Sequence, residues 1–348
     1  MSSEFGYINA RLKGKHSQLL KAGAYQELLA LPDFASVEKW MEGGPYAREW
    51  QSAKVRYKGL EAVEWALEKN FCQLTGLLLS ISEGQPLKLI GIILSRWDLA
   101  NLNAVVRGIH AGWSAQEIQR SLLPAGRLDD VKLMELCTRT TLDDLADTLV
   151  TWEHQLGVTL KRSLEQYAKD KDAVAVELSL YREFYRNSLS NLKGWGHNAS
   201  LLRRLLKKEI DLLNLKAVRL LKGKKDLEPS SLTSYYIPGG SLFSAASFTG
   251  LFDRREGPKI LRAMKSNIYY RWIADIKPDP EQTLVLEQKH YRELAGLYRG
   301  DPLGIDVVLG FLWQKYYEVV NLRFLARGKF YGLSAEQIRN ELITVNPF

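Results

Sequence analysis

Apolar residues recur along this chain at the three- and four-residue spacing of helices that bury one face. Phe5, Ile8 and Leu12 predict a short helix over 4–15, and a second follows over 17–30. Pro32-Asp33 and Gly43-Gly44-Pro45 then interrupt the pattern. Val63, Leu67, Leu74, Leu77 and Leu78 form the stripe of a long helix over 55–80, and Pro86 stands near the start of the next, where its missing N–H does no harm. Leu, Val and Tyr spacing predicts a long helix over 158–185, with a basic helix running on to about Lys222 after the sequence Asn-Leu-Lys-Gly-Trp-Gly. Residues 230–247, rich in Ser, Gly, Tyr and Phe, read as a linker with a helical turn or two. A helix over 281–297 and a last long one opening at Asp301-Pro302 complete the chain. Sustained apolar–polar alternation with hairpin turns is missing, so the fold class is all-α.

One stretch of this pattern returns. Residues 96–122 reappear in 318–342, with Glu318, Asn321, Leu322 and Arg327 in the places of Asp98, Asn101, Leu102 and Arg107. Gly112-Trp113-Ser114-Ala115-Gln116-Glu117-Ile118 answers to Gly332-Leu333-Ser334-Ala335-Glu336-Gln337-Ile338. A weaker copy carries Asp211, Asn214, Leu215 and Ala217 at the same offsets but Leu220 where the others have arginine. The three asparagines stand 113 and 107 residues apart, a nearly fixed period that implies one helical unit used three times. The units expected are 1–126, 127–241 and 242–348, with joints at Pro124-Ala125-Gly126-Arg127-Leu128 and Pro238-Gly239-Gly240-Ser241-Leu242. Ser114 with Glu117, and Ser334 with Gln337, are capping boxes, so each unit is expected to end as long helix, tight turn, short helix.

On a helical wheel Arg96, Asn103, Arg107 and His110 share one arc, while Asp98 and Asn101 fall among Leu94, Trp97, Leu102 and Val105. The acid and amide therefore face inward, as do Asp211 with Asn214 and Glu318 with Asn321. An unpaired buried polar group costs about 2–7 kcal/mol, so each must find a partner in backbone or a neighbouring helix. Two readings stand: a ligand site present in triplicate, or structural locks, the latter favoured because groups that hold a repeat together recur with it.

The chain has 348 residues, of which 46% are hydrophobic and 25% charged, an ordinary globular composition. Cys72 and Cys137 are too few for a disulfide framework and lack metal-ligand spacing, which points to a reducing compartment. The first residues lack the pattern of a signal peptide, and the apolar runs 74–81, 87–95 and 303–313 fall short of the roughly 20 residues that cross a bilayer. A formal charge of +8 suits an acidic partner. Arg203-Arg204, Lys207-Lys208, Lys216, Arg219, Lys222 and Lys224-Lys225 concentrate that charge on one helix, which raises the alternative of a basic nucleic-acid-binding or scaffold protein. Asp129-Asp130 and Asp143-Asp144 fit first helical turns better than catalytic pairs. The five histidines are scattered singly, and neither phosphate-loop nor zinc-protease motifs occur, so no catalytic, cofactor or metal site is expected.

Three blocks carry a family resemblance: Phe5-Gly6-Tyr7-Ile8-Asn9-Ala10-Arg11-Leu12, residues 96–107, and Asp301-Pro302-Leu303-Gly304 through Asn321-Leu322-Arg323-Phe324-Leu325-Ala326-Arg327-Gly328 to Leu342. Together they resemble the C subunit of the V-type (A-type) rotary ATPase/ATP synthase, known in eukaryotes as the d subunit, across the whole chain. The resemblance implies a funnel of three similar helical domains around a pseudo-threefold axis. It also implies a non-catalytic protein, present as a single copy in a larger hetero-complex and peripheral on the cytoplasmic face of the membrane. Such a socket joins the central axle, made of the D and F subunits, to the proteolipid ring and transmits torque for proton or sodium transport. Nucleic acid is not among the implied partners. The outward cations Arg96, Arg107, Lys216, Arg219, Arg323 and Arg327 are the candidates for axle or ring contact.

Overall fold

The computed structural model describes residues 5–343 apart from 193, 195, 223–228, 254 and 264–279. Lys224-Lys225 and the expected breaks at Lys277–Asp279 lie outside these. Among the described residues every regular element is an α-helix or a short 3₁₀ helix, so the chain is all-α.

Packing divides the chain into two compact units, one of residues 1–90 with 280–348 and one of residues 91–279. In the first unit the Asp306–Phe330 helix is the axis: Val307, Val308, Leu309, Phe311, Leu312, Leu322, Leu325 and Ala326 are all buried on it. The helices Gly59–Ser80, Gly6–His16 and Pro280–Gly296 pack on it, and Ala47–Lys54 packs on Gly59–Ser80. In the second unit Leu142–Thr151, Gly157–Asp170 and Ala173–Ser190 pack in succession, and Gly196–Lys222 lies against the last.

Start signals sit where polar side chains satisfy the free N–H groups of a first turn. Both expected capping boxes form, at Ser114 and Ser334, and a third forms at Ser244. Asp129 caps Asp130–Cys137, while Asp143 and Asp144 occupy the first turn of Leu142–Thr151. After the two boxed turns the chain closes tightly. At Gly108 an added Cβ would stand 2.4 Å from Ile118, and at Gly328 it would stand 2.6 Å from Ile338, so in both copies only glycine lets the short helix dock on the long one.

The structure corrects several expectations. The helix predicted over 158–185 is two, Gly157–Asp170 and Ala173–Ser190, because Lys171 turns left-handed at φ 55° and Asp172 caps the second through Val174 and Ala175. The last long helix begins at Asp306 rather than Asp301, whose carboxylate instead accepts from the Leu303 N–H in the preceding turn. Two short helices were not foreseen, Phe34–Gly43 between the two predicted breaks and Ala47–Lys54 after the second, and the long helix expected over 55–80 begins at Gly59. Residues 84–111 form a 28-residue helix with a window of mean hydropathy 1.3, long and apolar enough to cross a membrane by composition, contrary to the sequence reading. Of that window 78% is buried inside the protein, as in the core helix of a folded domain.

Candidate functional site

The inward amides make one interaction three times. Asn101 accepts from the Leu123 N–H at 2.8 Å and donates to the Leu123 carbonyl at 2.8 Å. Asn214 does the same with Ile237, at 2.9 and 2.8 Å, and Asn321 with Ile343, at 2.9 and 2.7 Å. A carboxamide presents one acceptor and one donor side by side, which matches the N–H and C=O of a single peptide-bearing residue. Each long helix is thereby fastened to the segment that follows its short helix or turn.

The inward acids act on the joints. Asp98 accepts from the N–H groups of Arg127 and Leu128 at 3.0 and 2.9 Å, and Asp211 from Ser241 and Leu242 at 3.0 and 2.8 Å. Glycine is required beneath each: a Cβ at Gly126 would stand 2.0 Å from the Asp98 carboxylate, and one at Gly240 2.1 Å from that of Asp211. Burial pushes the Asp98 carboxyl up to about 6, against the pull of the two backbone donors, and raises that of Asp211 for the same reason. Glu318 differs. Its carboxylate takes the Leu20 N–H at 2.5 Å, the Tyr46 hydroxyl at 2.6 Å and the Lys315 ammonium at 2.8 Å, in a cluster where both charged side chains are over 90% buried. The positions at the matching offset from Glu318, 347 and 348, lie outside the described residues.

Most of the candidate cations are bound within their own unit. Arg96 bridges both Glu209 oxygens at 2.6 and 2.7 Å and is largely buried, and Asn103 on the same arc is fully buried, so the arc is covered there and open only at Arg107 and His110. Arg107 pairs with Glu177 at 2.8 Å, Arg323 with Glu68 at 3.1 Å and Arg327 with Glu64 at 2.5 Å. Lys216 is exposed and Arg219 half-buried. Burial pushes the Glu68 carboxyl up to about 7 although Arg323 opposes this.

Sequence reasoning did not find these acidic partners, yet a signal was present: Glu64 and Glu177 are 113 residues apart, the spacing of Asn101 and Asn214. Each binds the same arginine of a repeat helix, Arg327 and Arg107. In the middle copy Leu220 occupies the arginine position and is 66% exposed. Tyr46 and Lys315 also went unnoticed, since they serve the one lock that differs from the other two. Among the described residues no three His, Cys, Asp or Glu side chains converge as metal ligands would.

Buried acid–amide locks recurring at fixed offsets, with glycine beneath the joints, define an all-helical protein built on a repeated helix–turn module. Residues 8–341 match the family model of the ATP synthase (C/AC39) subunit, and the chain belongs to that family. It is 27% identical to the A-type ATP synthase C subunit of Haloquadratum walsbyi, over 97% of each chain. It is 28% identical to that of Halorubrum lacusprofundi, over 98% of each. The V-type ATP synthase C subunit of Deinococcus radiodurans is 26% identical over 98% of this chain and 92% of its own.

Proposed function

We propose that this chain is the non-catalytic central-stalk component of a V/A-type rotary ATPase. In this reading it is a socket that receives the D and F subunits of the axle, rests on the proteolipid ring at the cytoplasmic face, and passes torque between them. The chain would be present once per complex and comprise three similar domains, 1–126, 127–241 and 242–348, arranged as a funnel about a pseudo-threefold axis. The observation that supports this most directly is the lock repeated at Asn101, Asn214 and Asn321 in a chain of this family. Torque passes through a body only if its joints resist opening, and a bidentate side chain-to-backbone bond at each joint gives that resistance.

For grip on a partner, exposure divides the candidate cations. Arg96, largely buried on Glu209, serves the fold; Lys216 and Arg219 on the basic helix, and the exposed guanidinium of Arg107 and Arg327, are the groups positioned to meet an acidic surface. Contacts of this kind raise the rate and specificity of association and weaken with salt.

The test is capture of the purified chain by detergent-solubilised proteolipid ring carrying its axle proteins, against a random DNA duplex, over a series of salt concentrations. Saturable capture by ring or axle, weakened by the double reversal Lys216→Glu/Arg219→Glu, is the expected result. Capture by DNA alone would overturn the proposal in favour of a nucleic-acid-binding role for the basic helix.

A further inference from the structure

The first packing unit contains a cleft of about 480 Å³, within the range of small-ligand sites. Arg11, Lys15, Arg48 and Lys315 stand on its walls with a single lining carboxylate, Glu49. The charges do not cancel. Lys315 is balanced by Glu318, and Glu49 is buried and receives the Asn70 amide at 3.1 Å. Arg11 donates to the Tyr7 hydroxyl at 3.2 Å, and among the described residues no carboxylate pairs with Arg11, Lys15 or Arg48. Six other arginines, Arg96, Arg107, Arg139, Arg186, Arg323 and Arg327, each have an acidic partner, while Arg182 and Arg203 are held by backbone carbonyls.

Four cations against the carboxylates of Glu49 and Glu318 leave an excess of two positive charges around one concavity, and low-dielectric walls concentrate their field on the space between. Leu74, Leu77 and Phe311 supply such walls here, while Asn70 and Gln73 add neutral polar groups. A dense, multiply charged anion relieves the repulsion, and guanidinium and ammonium groups together suit phosphate oxygens. We propose that this cleft binds a phosphate-bearing anion of two or more charges, held chiefly by Arg11, Lys15 and Arg48. The site lies within one packing unit and does not depend on the rotary reading.

Inorganic pyrophosphate tests it by titration calorimetry with the full chain at low salt, beside co-flotation with vesicles of phosphatidylcholine alone or with phosphatidic acid. The variants are Lys15→Glu and Arg48→Glu, with Arg204→Glu as a control that makes the same charge change at an exposed position on the basic helix. Thermal melts by circular dichroism confirm that all three fold. Saturable pyrophosphate binding, weakened at least about tenfold by each cleft variant and less than about twofold by Arg204→Glu, supports the site with a soluble ligand. Flotation only with phosphatidic acid vesicles, lost in the same two variants, supports it with a lipid headgroup. Binding to neither probe, or equal loss in all three variants, overturns it.

Discussion

Asn214→Ala removes a side chain that is fully buried and holds both polar groups of Ile237. Two hydrogen bonds are lost, and an N–H and a C=O are left in a site that the amide had filled. Each net bond contributes about 0.5–1.5 kcal/mol, and stranding a buried group costs about 1–3 kcal/mol, so roughly 2–4 kcal/mol is the expected loss for the joint. A denaturant melt averages over both packing units, so the joint itself is read best residue by residue. Amide hydrogen exchange reads the joint directly. A cost of that size corresponds to exchange faster by roughly 30- to 700-fold at Ile237 and its neighbours, at about 1.4 kcal/mol per factor of ten. Asn214→Asp separates shape from chemistry: its carboxylate still accepts from the Ile237 N–H but turns a second acceptor toward the carbonyl, so opening is again faster. Exchange at Ile237 within threefold of wild type in Asn214→Ala would show that apolar packing, not the amide, holds the joint, and would refute the lock.

The other predictions rest on single named contacts. Glu68 has a folded-state pKa of about 7 against 4.5, so the native state binds its proton more tightly; this stabilisation is complete below about pH 4.5 and is lost as pH rises through 7, at most roughly 3 kcal/mol. Urea melts between pH 4.5 and 8 should show that slope flattened in Glu68→Gln, with Arg323, Glu64 and Arg327 unchanged around it, and identical slopes in both proteins would remove the assignment. Gly126→Ala forces Asp98 off its two backbone donors and should cost about 1–3 kcal/mol by denaturant melt, whereas Gly14→Ala, with open space at its Cβ, should be neutral or stabilising by up to about 1 kcal/mol. Ser114→Ala and Ser334→Ala each delete a capping box and should cost about 1 kcal/mol; the double variant should show the sum, and a marked departure from additivity would mean the two turns are coupled.

What the sequence made legible follows from what periodicity can encode. Inward Asp98, Asn101, Asp211, Asn214 and Asn321 were readable because a polar residue on an apolar stripe must find a partner, and the repeat said the partner would recur. Capping boxes were readable because both halves lie within one turn. The break at Lys171 was not, since apolar spacing passes over a single left-handed residue. Nor were the 34–43 and 47–54 helices, which are too short for a period to declare itself between flanking glycines and prolines. Arg96 and Asn103 defeated the wheel for another reason: a wheel assumes one environment along the whole helix, whereas this arc is covered at Arg96 and Asn103 and open at Arg107 and His110. Cross-helix partners such as Glu64 and Glu209 lie 263 and 113 residues from their arginines, beyond any local pattern.

The odd lock explains how the repeat treats its last member. Asp98 fastens the backbone that leads into the Asp130–Cys137 helix, and Asp211 the backbone that leads into Ala245–Gly250. Glu318 fastens Leu20, which leads into Ala22–Ala30 near the start of the chain. The short helices follow the same rule, with Ala115–Gln119 packing on Asp130–Cys137 and Ala335–Glu341 packing on Ala22–Ala30. By that rule the last copy takes as its successor the entry segment of the first. One extra methylene lengthens the reach of Glu318 over that of an aspartate, and among the described residues its burial is offset by Lys315 and the Tyr46 hydroxyl beside the one backbone donor. A linear array of repeats leaves a terminal face at each end that a capping element must cover. Here the carboxylate of Glu318, in the last stretch that carries the motif, is met by the Leu20 N–H of the entry segment, so the Lys315–Glu318 pair, isolated when read along the chain, fastens the start of the chain to its last long helix.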